Sequence, residues 1–182
     1  IAGLACAAEI SKTRRDLVLI EAERDICQHT SSHNSEVIHS GIYYKPGSLK
    51  ETFCVGGNPL LYEYCERRGI EHQRIGKLIV LCKGEDRSKI EKIYENGIQN
   101  EVPDLRIIDK AELNDLEPNV AADLAIYSGS TGIIDSHALA LSLEAEIEFN
   151  GGHILKSSPF IEGQSNDKRW KVEIGGLNKC YI

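Results

Sequence analysis

The 182-residue chain carries 21 Lys and Arg against 28 Asp and Glu, a formal charge of −7, with 41% hydrophobic and 27% charged residues. This composition supports a packed core in one ordinary domain or two small ones, and it argues against a surface for nucleic acid or anionic membrane. No apolar run approaches the roughly 18 residues that cross a bilayer, so no transmembrane helix is expected. Cys6, Cys27, Cys54, Cys65, Cys82 and Cys180 form no CxxC pair and no metal-ligand spacing that recurs. They predict buried, reduced thiols in an intracellular compartment and no metal site. The chain begins at Ile1 without any Met, opens on residues that read as the inside of a helix, and stops abruptly at Cys180-Tyr181-Ile182. It is expected to be a piece of a longer protein, on which the lack of a targeting signal says nothing.

In chain order, IAGLACAAEISK suits the first turns of a helix packed on a sheet. Leu17-Val18-Leu19-Ile20 reads as a buried parallel strand ending at Glu21. Helix, loop, strand and acid form the second half of a βαβ unit. Gly3 and Glu21 lie 18 positions apart, near the roughly 20 that separate a glycine fingerprint from its ribose-binding acid. The same spacing also fits a packing glycine and a solvated glutamate.

The stretch from His29 to Lys50, HTSSHNSEVIHSGIYYKPGSLK, is the densest in groups that bind or exchange protons. Val37-Ile38 and Ile42-Tyr43-Tyr44 are β-prone pieces around Ser40-Gly41, and Pro46-Gly47 is a turn. Ser48-x-x-Glu51 is a capping box that starts a helix. Phe53, Leu60, Leu61 and Tyr64 are its predicted apolar face, and Gly69 its C-terminal cap. Gly56-Gly57-Asn58-Pro59 predicts a kink or break inside it.

Residues 76–82 read as a strand, 88–97 as an amphipathic helix with Ile90, Ile93 and Tyr94 inward, 106–108 as a strand and 110–116 as a helix. Two strand pieces, 124–127 and 132–135, flank a Ser-Gly-Ser-Thr-Gly bend. Residues 136–150 form a helix with Leu139, Leu143 and Ile147 on one line and Gly151-Gly152 past its end. Strands at 153–157 and 171–174 follow, with 164–168 as a hairpin loop. The rhythm is that of a nucleotide-binding domain interrupted by a more antiparallel insertion.

With GLACAAE, VLIEAE, LLYEYC, GKLIV and TGIID around it, NSEVIHSGIYYKPGSLK resembles the L-2-hydroxyglutarate dehydrogenases, flavoproteins of the D-amino-acid-oxidase-like FAD superfamily. The resemblance runs along essentially the whole chain. It implies an α/β fold in which a Rossmann-like FAD-binding domain (1–45 and 135–182) is interleaved with an α+β substrate domain (46–134) whose sheet is mainly antiparallel. It also implies FAD as cofactor and a small 2-hydroxy acid as substrate. Electrons then pass to quinone or oxygen, which the residues do not distinguish.

By resemblance, Gly3 is the last fingerprint glycine beside the pyrophosphate and Glu21 the acid on the adenosine ribose. Ser31, Asn34 and Ser35 pass the pyrophosphate and flavin, and the backbone near Phe160 contacts the adenine. His39 stands at the reactive end of the flavin. Glu36 and Ser32 replace glycines of the family, which predicts loop strain wherever the glycine serves a positive φ.

Oxidising a 2-hydroxy acid needs a base for the hydroxyl proton and cations for the carboxylates. His39 is the candidate base, with an ordinary pKa of about 6.5. Tyr43, Tyr44 and Lys77 are candidate substrate contacts, although alternation along a strand would leave one tyrosine for packing. Each of these also has a purely structural reading. A relative acting on glycerol-3-phosphate or an amino acid is the rival function, and a non-enzymatic fragment a third. Bacterial cytoplasm, with or without membrane association, and mitochondrion are both compatible compartments.

Overall fold

The computed structural model describes residues 1–166, 169–175 and 180–181. In chain order its helices and strands are α1 (Ala2–Ser11), β1 (Val18–Ile20), β2 (Val37–Ile38), α2 (Leu49–Arg68), β3 (His72–Gln73), β4 (Leu78–Val80), α3 (Arg87–Gln99) and β5 (Leu105–Asp109). There follow α4 (Lys110–Leu116), β6 (Leu124–Ser128), β7 (Gly132–Ile134), α5 (Ser136–Phe149), β8 (His153–Leu155), β9 (Phe160–Asn166), β10 (Arg169–Ile174) and β11 (Cys180–Tyr181). The fold is mixed helix and sheet, with most sheets antiparallel. Two compact units emerge, Ile1–Ser35 with Ser136–Ile182, and Glu36–Asp135. Among the described residues no helix is long and apolar enough to cross a membrane.

In the discontinuous unit β1 pairs in parallel with β8, Leu19 opposite Ile154. Val18 remains 37% exposed, so this strand is less buried than its apolar run suggests. Leu4, Ala7 and Ala8 of α1 and Leu139, Leu143 and Ile147 of α5 are buried as the two helices pack together. Asn150 donates to Ser11 Oγ at 2.9 Å across that contact. The region expected to be a hairpin loop is largely strand: Gln164 and Ser165 pair with Lys171 and Trp170. The expected loop residues 167–168 lie outside the described residues.

In the continuous unit β7 sits between β2 and β3, and β6 between β4 and β5, all antiparallel. Ile108, Leu113 and Ala125 form one apolar cluster, and Ile42, Ile90 and Ile126 another. Burying an aliphatic side chain of this size contributes about 1.5–3 kcal/mol. Asp109 caps α4 by accepting from the Ala111 and Glu112 N–H groups.

At the start of α2, Ser48 Oγ accepts from Glu51 N–H while the Glu51 carboxylate takes the Gly47 N–H. Gly69 ends the helix at φ 66°, as expected. The helix is not broken at Pro59. Asn58 before it and Tyr62 after it both donate to the Ser130 carbonyl, at 3.0 and 3.2 Å. Such bonds, about 1 kcal/mol each, help offset a proline penalty of about 3 kcal/mol.

The face of α2 also differs from the expected one. Phe53 and Leu60 are exposed, and Asn58, Tyr62 and Cys65 are buried. Here burial follows the need to satisfy irregular backbone carbonyls, not apolar spacing. Among the cysteines whose side chains are described, only Cys65 is buried. Cys6 and Cys82 are exposed, and Cys27 and Cys54 half-buried, all as free thiols.

Candidate functional site

In the continuous unit, β2 runs out at Ile38, and the chain enters a segment with no strand partner. Gly41, at φ 92°, starts a turn in which Tyr44 N–H donates to Gly41 O at 3.2 Å. Ile42-Tyr43-Tyr44 is therefore a turn and not a strand, and the alternation that would separate the tyrosines does not operate. Both line one small pocket with His39, Ser40, Lys77 and Thr131. Its open volume is about 80 Å³.

Lys77 enters the pocket from the residue before β4, where its N–H and C=O pair with Ser128 at 3.1 and 2.9 Å. Its ammonium lies 4.8 Å from the centroid of the Tyr43 ring, a cation–π distance. No carboxylate pairs with it among the described residues. His39 still reaches solvent, yet partial burial, and then the Lys77 charge, hold its imidazole below the ordinary 6.5. An imidazole so placed is neutral at physiological pH and able to accept a proton.

Beneath the pocket Ser128 Oγ donates to Ser40 Oγ at 3.0 Å and lies 3.2 Å from Thr131 Oγ1. All three residues are buried. Ser128 has one hydroxyl proton, directed to Ser40, so Thr131 is the donor in the second contact. Sequence reasoning treated this Ser-Gly-Ser-Thr-Gly segment only as a bend.

It also missed Asn58, Asn96 and Asn100. Asn58 Nδ2 donates to His39 O at 3.0 Å, and Asn96 Nδ2 to Ile42 O and Tyr44 O at 2.7 and 2.9 Å. Asn100 Nδ2 donates to Gly41 O and Tyr44 O at 2.9 and 2.8 Å. Gly97 makes this approach possible, because a Cβ there would meet Leu105 Cδ2 at 2.4 Å and Ile42 Cγ1 at 2.9 Å. The available signal was the i,i+4 pair of asparagines flanking a glycine on α3.

In the other unit Ser31 lies against the start of α1, and Asn34 against Ser31. Ile1, the N-cap residue, donates its backbone nitrogen to Ser31 Oγ at 3.2 Å, and Asn34 Nδ2 donates to Ser31 O at 2.7 Å. The first turn of α1 has no acidic residue and no side-chain cap. Gly3 is exposed, and a Cβ on it would meet nothing within 4 Å. No close packing of Gly3 on a sheet is seen among the described residues. Ser35 is exposed beside Asn34.

Glu21 sits at the end of β1, one carboxylate oxygen accepting from Glu23 N–H at 2.9 Å. Ser158 N–H donates to Glu21 O at 2.8 Å, so the segment leading to Phe160 is brought alongside Glu21. Phe160 itself is 60% exposed at the start of β9. Glu36, the first residue of the other unit, has φ 55°. The strain expected from its replacement of a glycine is present there. Ser32 lies in a 3-10 turn with no positive φ, so the same expectation fails at Ser32.

The chain is 43% identical to human mitochondrial L-2-hydroxyglutarate dehydrogenase over 157 residues, which are 85% of this chain and 34% of that protein. It is 41% identical to the mitochondrial L-2-hydroxyglutarate dehydrogenase of Dictyostelium discoideum, covering 94% of this chain and 39% of that one. The chain thus spans little more than a third of the length of these relatives. Its fold matches L-alpha-glycerophosphate oxidase from Mycoplasma pneumoniae with FAD bound, at a TM-score of 0.87 and 25% identity, covering 97% of this chain and 48% of that one. It also matches glycine oxidase from Geobacillus kaustophilus, at a TM-score of 0.81 and 16% identity, over 94% of this chain and 48% of that one. The family profile that covers residues 1–181 is that of the FAD dependent oxidoreductases, and the chain belongs to that family.

Proposed function

We propose that the protein oxidises L-2-hydroxyglutarate to 2-oxoglutarate with FAD as its cofactor. The observation that carries the reading is a pocket in which a base held neutral, His39, shares its walls with an unpaired ammonium, Lys77. A 2-hydroxy dicarboxylate presents one hydroxyl proton and two carboxylates. His39 accepts the proton, Lys77 pairs with one carboxylate, and the Tyr43 and Tyr44 phenols offer neutral donors. Bound FAD supplies the acceptor for the C2 hydride. In the other unit the start of α1 with Gly3, Ser31, Asn34 and Ser35 holds the diphosphate, Glu21 the adenosine ribose, and the backbone near Phe160 the adenine. The names of the relatives support a mitochondrial location over a bacterial cytoplasmic one.

The test is anaerobic reduction of the purified protein loaded with FAD. L-2-hydroxyglutarate bleaches the flavin absorbance, and its D enantiomer does not. A second reading, oxidation of glycerol-3-phosphate, is favoured by the likeness to a glycerophosphate oxidase, since Lys77 suits a phosphate as well as a carboxylate. Bleaching by glycerol-3-phosphate and not by L-2-hydroxyglutarate selects it. A protein that takes up no FAD sinks both.

A further inference from the structure

The segment His39–Tyr44 has no ladder partners, yet its backbone is held closely. The carbonyls of His39, Gly41, Ile42 and Tyr44 all accept side-chain amide N–H groups, at 2.7–3.0 Å, from residues more than fifteen positions away. Asn58 comes from α2, where it is 6% exposed. Its two protons go to His39 O and Ser130 O, each at 3.0 Å. It therefore ties the residue that carries the imidazole to the loop that carries Thr131, two walls of the same pocket. Asn96 and Asn100 work at the other end, converging on Tyr44 O.

We infer that Asn58 is a positioning residue for His39, and that Asn96 and Asn100 are positioning residues for the tyrosine side of the pocket. The inference rests on the functional reading above for the meaning of those two ends. The division of labour follows from the atoms bonded. Asn58 holds the end with the base, so its loss acts on proton transfer. Asn96 and Asn100 hold the end that carries Tyr43 and Tyr44, so their loss acts on substrate binding. A packing role alone predicts no such division, because all three are at least half-buried and all three bond carbonyls of one segment. The titratable groups around His39 are Lys77 at the start of β4, the Cys54 thiol on α2 and the Tyr43 and Tyr44 phenols. A looser His39 moves away from this shared environment toward solvent.

The experiment compares Asn58→Leu and Asn96→Leu, which remove the donors while keeping the side chain's branching and number of heavy atoms, with the FAD-loaded wild-type protein. Asn58→Leu is expected to lower kcat on the order of 10- to 100-fold with KM little changed, as loss of reacting geometry does. Asn96→Leu is expected to raise KM about 10-fold with kcat nearly kept. In parallel, NMR titration of the His39 imidazole, assigned by its loss in His39→Asn, is expected to move up toward 6.5 in Asn58→Leu and stay put in Asn96→Leu. A folded Asn58→Leu protein with wild-type kcat and an unmoved His39 titration overturns the inference. Where Asn58→Leu shows no cooperative melt, Asn58→Gln takes its place. The longer side chain reaches both carbonyls only by displacing one, so kcat drops several-fold at unchanged Tm; wild-type kcat in Asn58→Gln overturns the inference too. Wild-type protein that none of the substrates reduces fails the functional reading instead, and the His39 titration then decides the positioning on its own.

Discussion

Between His29 and Ser35 several side-chain bonds stay close in sequence: Ser32 Oγ and the His33 ring contact His29 O, and Asn34 contacts Ser31 O, beside the longer reaches from Ile1 to Ser31 Oγ and from Asn34 to Ser136 Oγ. Between His39 and Tyr44 the backbone is bonded by amides that arrive from α2 and from the end of α3. The first loop is also largely exposed, whereas Ser40, Gly41 and Ile42 are buried. Local bonds leave a loop free to adapt to whatever lies over it, and bonds from distant elements fix a geometry in advance. A loop that wraps a large cofactor needs the former. A segment that carries a base must hold it within a fraction of an ångström before substrate arrives, and needs the latter.

The sharpest way to break this contrast is at His39. His39→Asn is expected to cut kcat at least 100-fold, the usual contribution of a general base, while leaving FAD affinity within a few-fold. Loss of FAD binding with unchanged kcat per bound flavin would reverse the roles of the two loops. Lys77→Ala comes next. It removes the cation proposed for a carboxylate, raising KM about 10- to 100-fold, in line with the 1.5–3 kcal/mol of a charge-assisted bond. It also removes one cause of the low His39 pKa. With His39 as the proposed base, activity is lost as pH falls through its pKa, so the acid limb of the kcat/KM profile is expected to shift to higher pH in Lys77→Ala. An unmoved limb separates the two residues. The same lowered pKa has a consequence for stability. Between it and 6.5 the unfolded chain binds a proton that the folded chain does not, so His39's contribution to stability falls as pH drops through that window.

How much of this was legible beforehand also divides along the contrast. Repeating patterns were readable: the three-residue apolar line of α5, the cap and αL glycine of α2, the alternation of helix and strand that marks the interleaved fold. The candidates that bind or exchange protons were readable by type, and His39, Lys77 and both tyrosines line one pocket. What holds them was not readable. Asn58 lies in a Gly-Gly-Asn-Pro run that resembles a helix breaker, and its partners are 19 and 72 positions away. Asn96 lies near the end of α3 and Asn100 caps it, positions where asparagine ordinarily faces water. Side-chain amides that bond to irregular backbone leave no periodic trace. For the same reason the apolar spacing of Phe53 and Leu60 pointed to the wrong face of α2.

Gly41 sharpens the prebuilt side of the contrast. A methyl group there would lie 2.6 Å from Val55 Cγ2, at a φ of 92° that disfavours any L side chain. Gly41→Ala is expected to cost about 2 kcal/mol, read as a lower urea midpoint at unchanged m, and to lower activity through His39 and Tyr43 together. An alanine tolerated without loss would mean that the segment adjusts, and that the asparagines do not fix it.

Glu36, the residue between the two loops, gives the smallest effect and the most selective one. Its φ of 55° places a side chain in the left-handed region, where a Cβ crowds the following carbonyl at a cost of about 1–2 kcal/mol. The backbone is held there from one side, since Ile134 N–H donates to Glu36 O at 3.0 Å as β2 begins to pair with β7. Relaxing φ would therefore disturb the register Val37↔Ile133, and the strain persists because the pairing outweighs it. Glu36→Gly relieves the crowding and adds freedom to the unfolded chain, two effects of opposite sign. The net expectation is a gain of about 0.5–1 kcal/mol, seen as a Tm higher by a few degrees. Glu36→Ala keeps the Cβ and so should gain nothing. Equal gains from glycine and alanine would show that the carboxylate, not the backbone angle, is what the wild-type residue costs the fold.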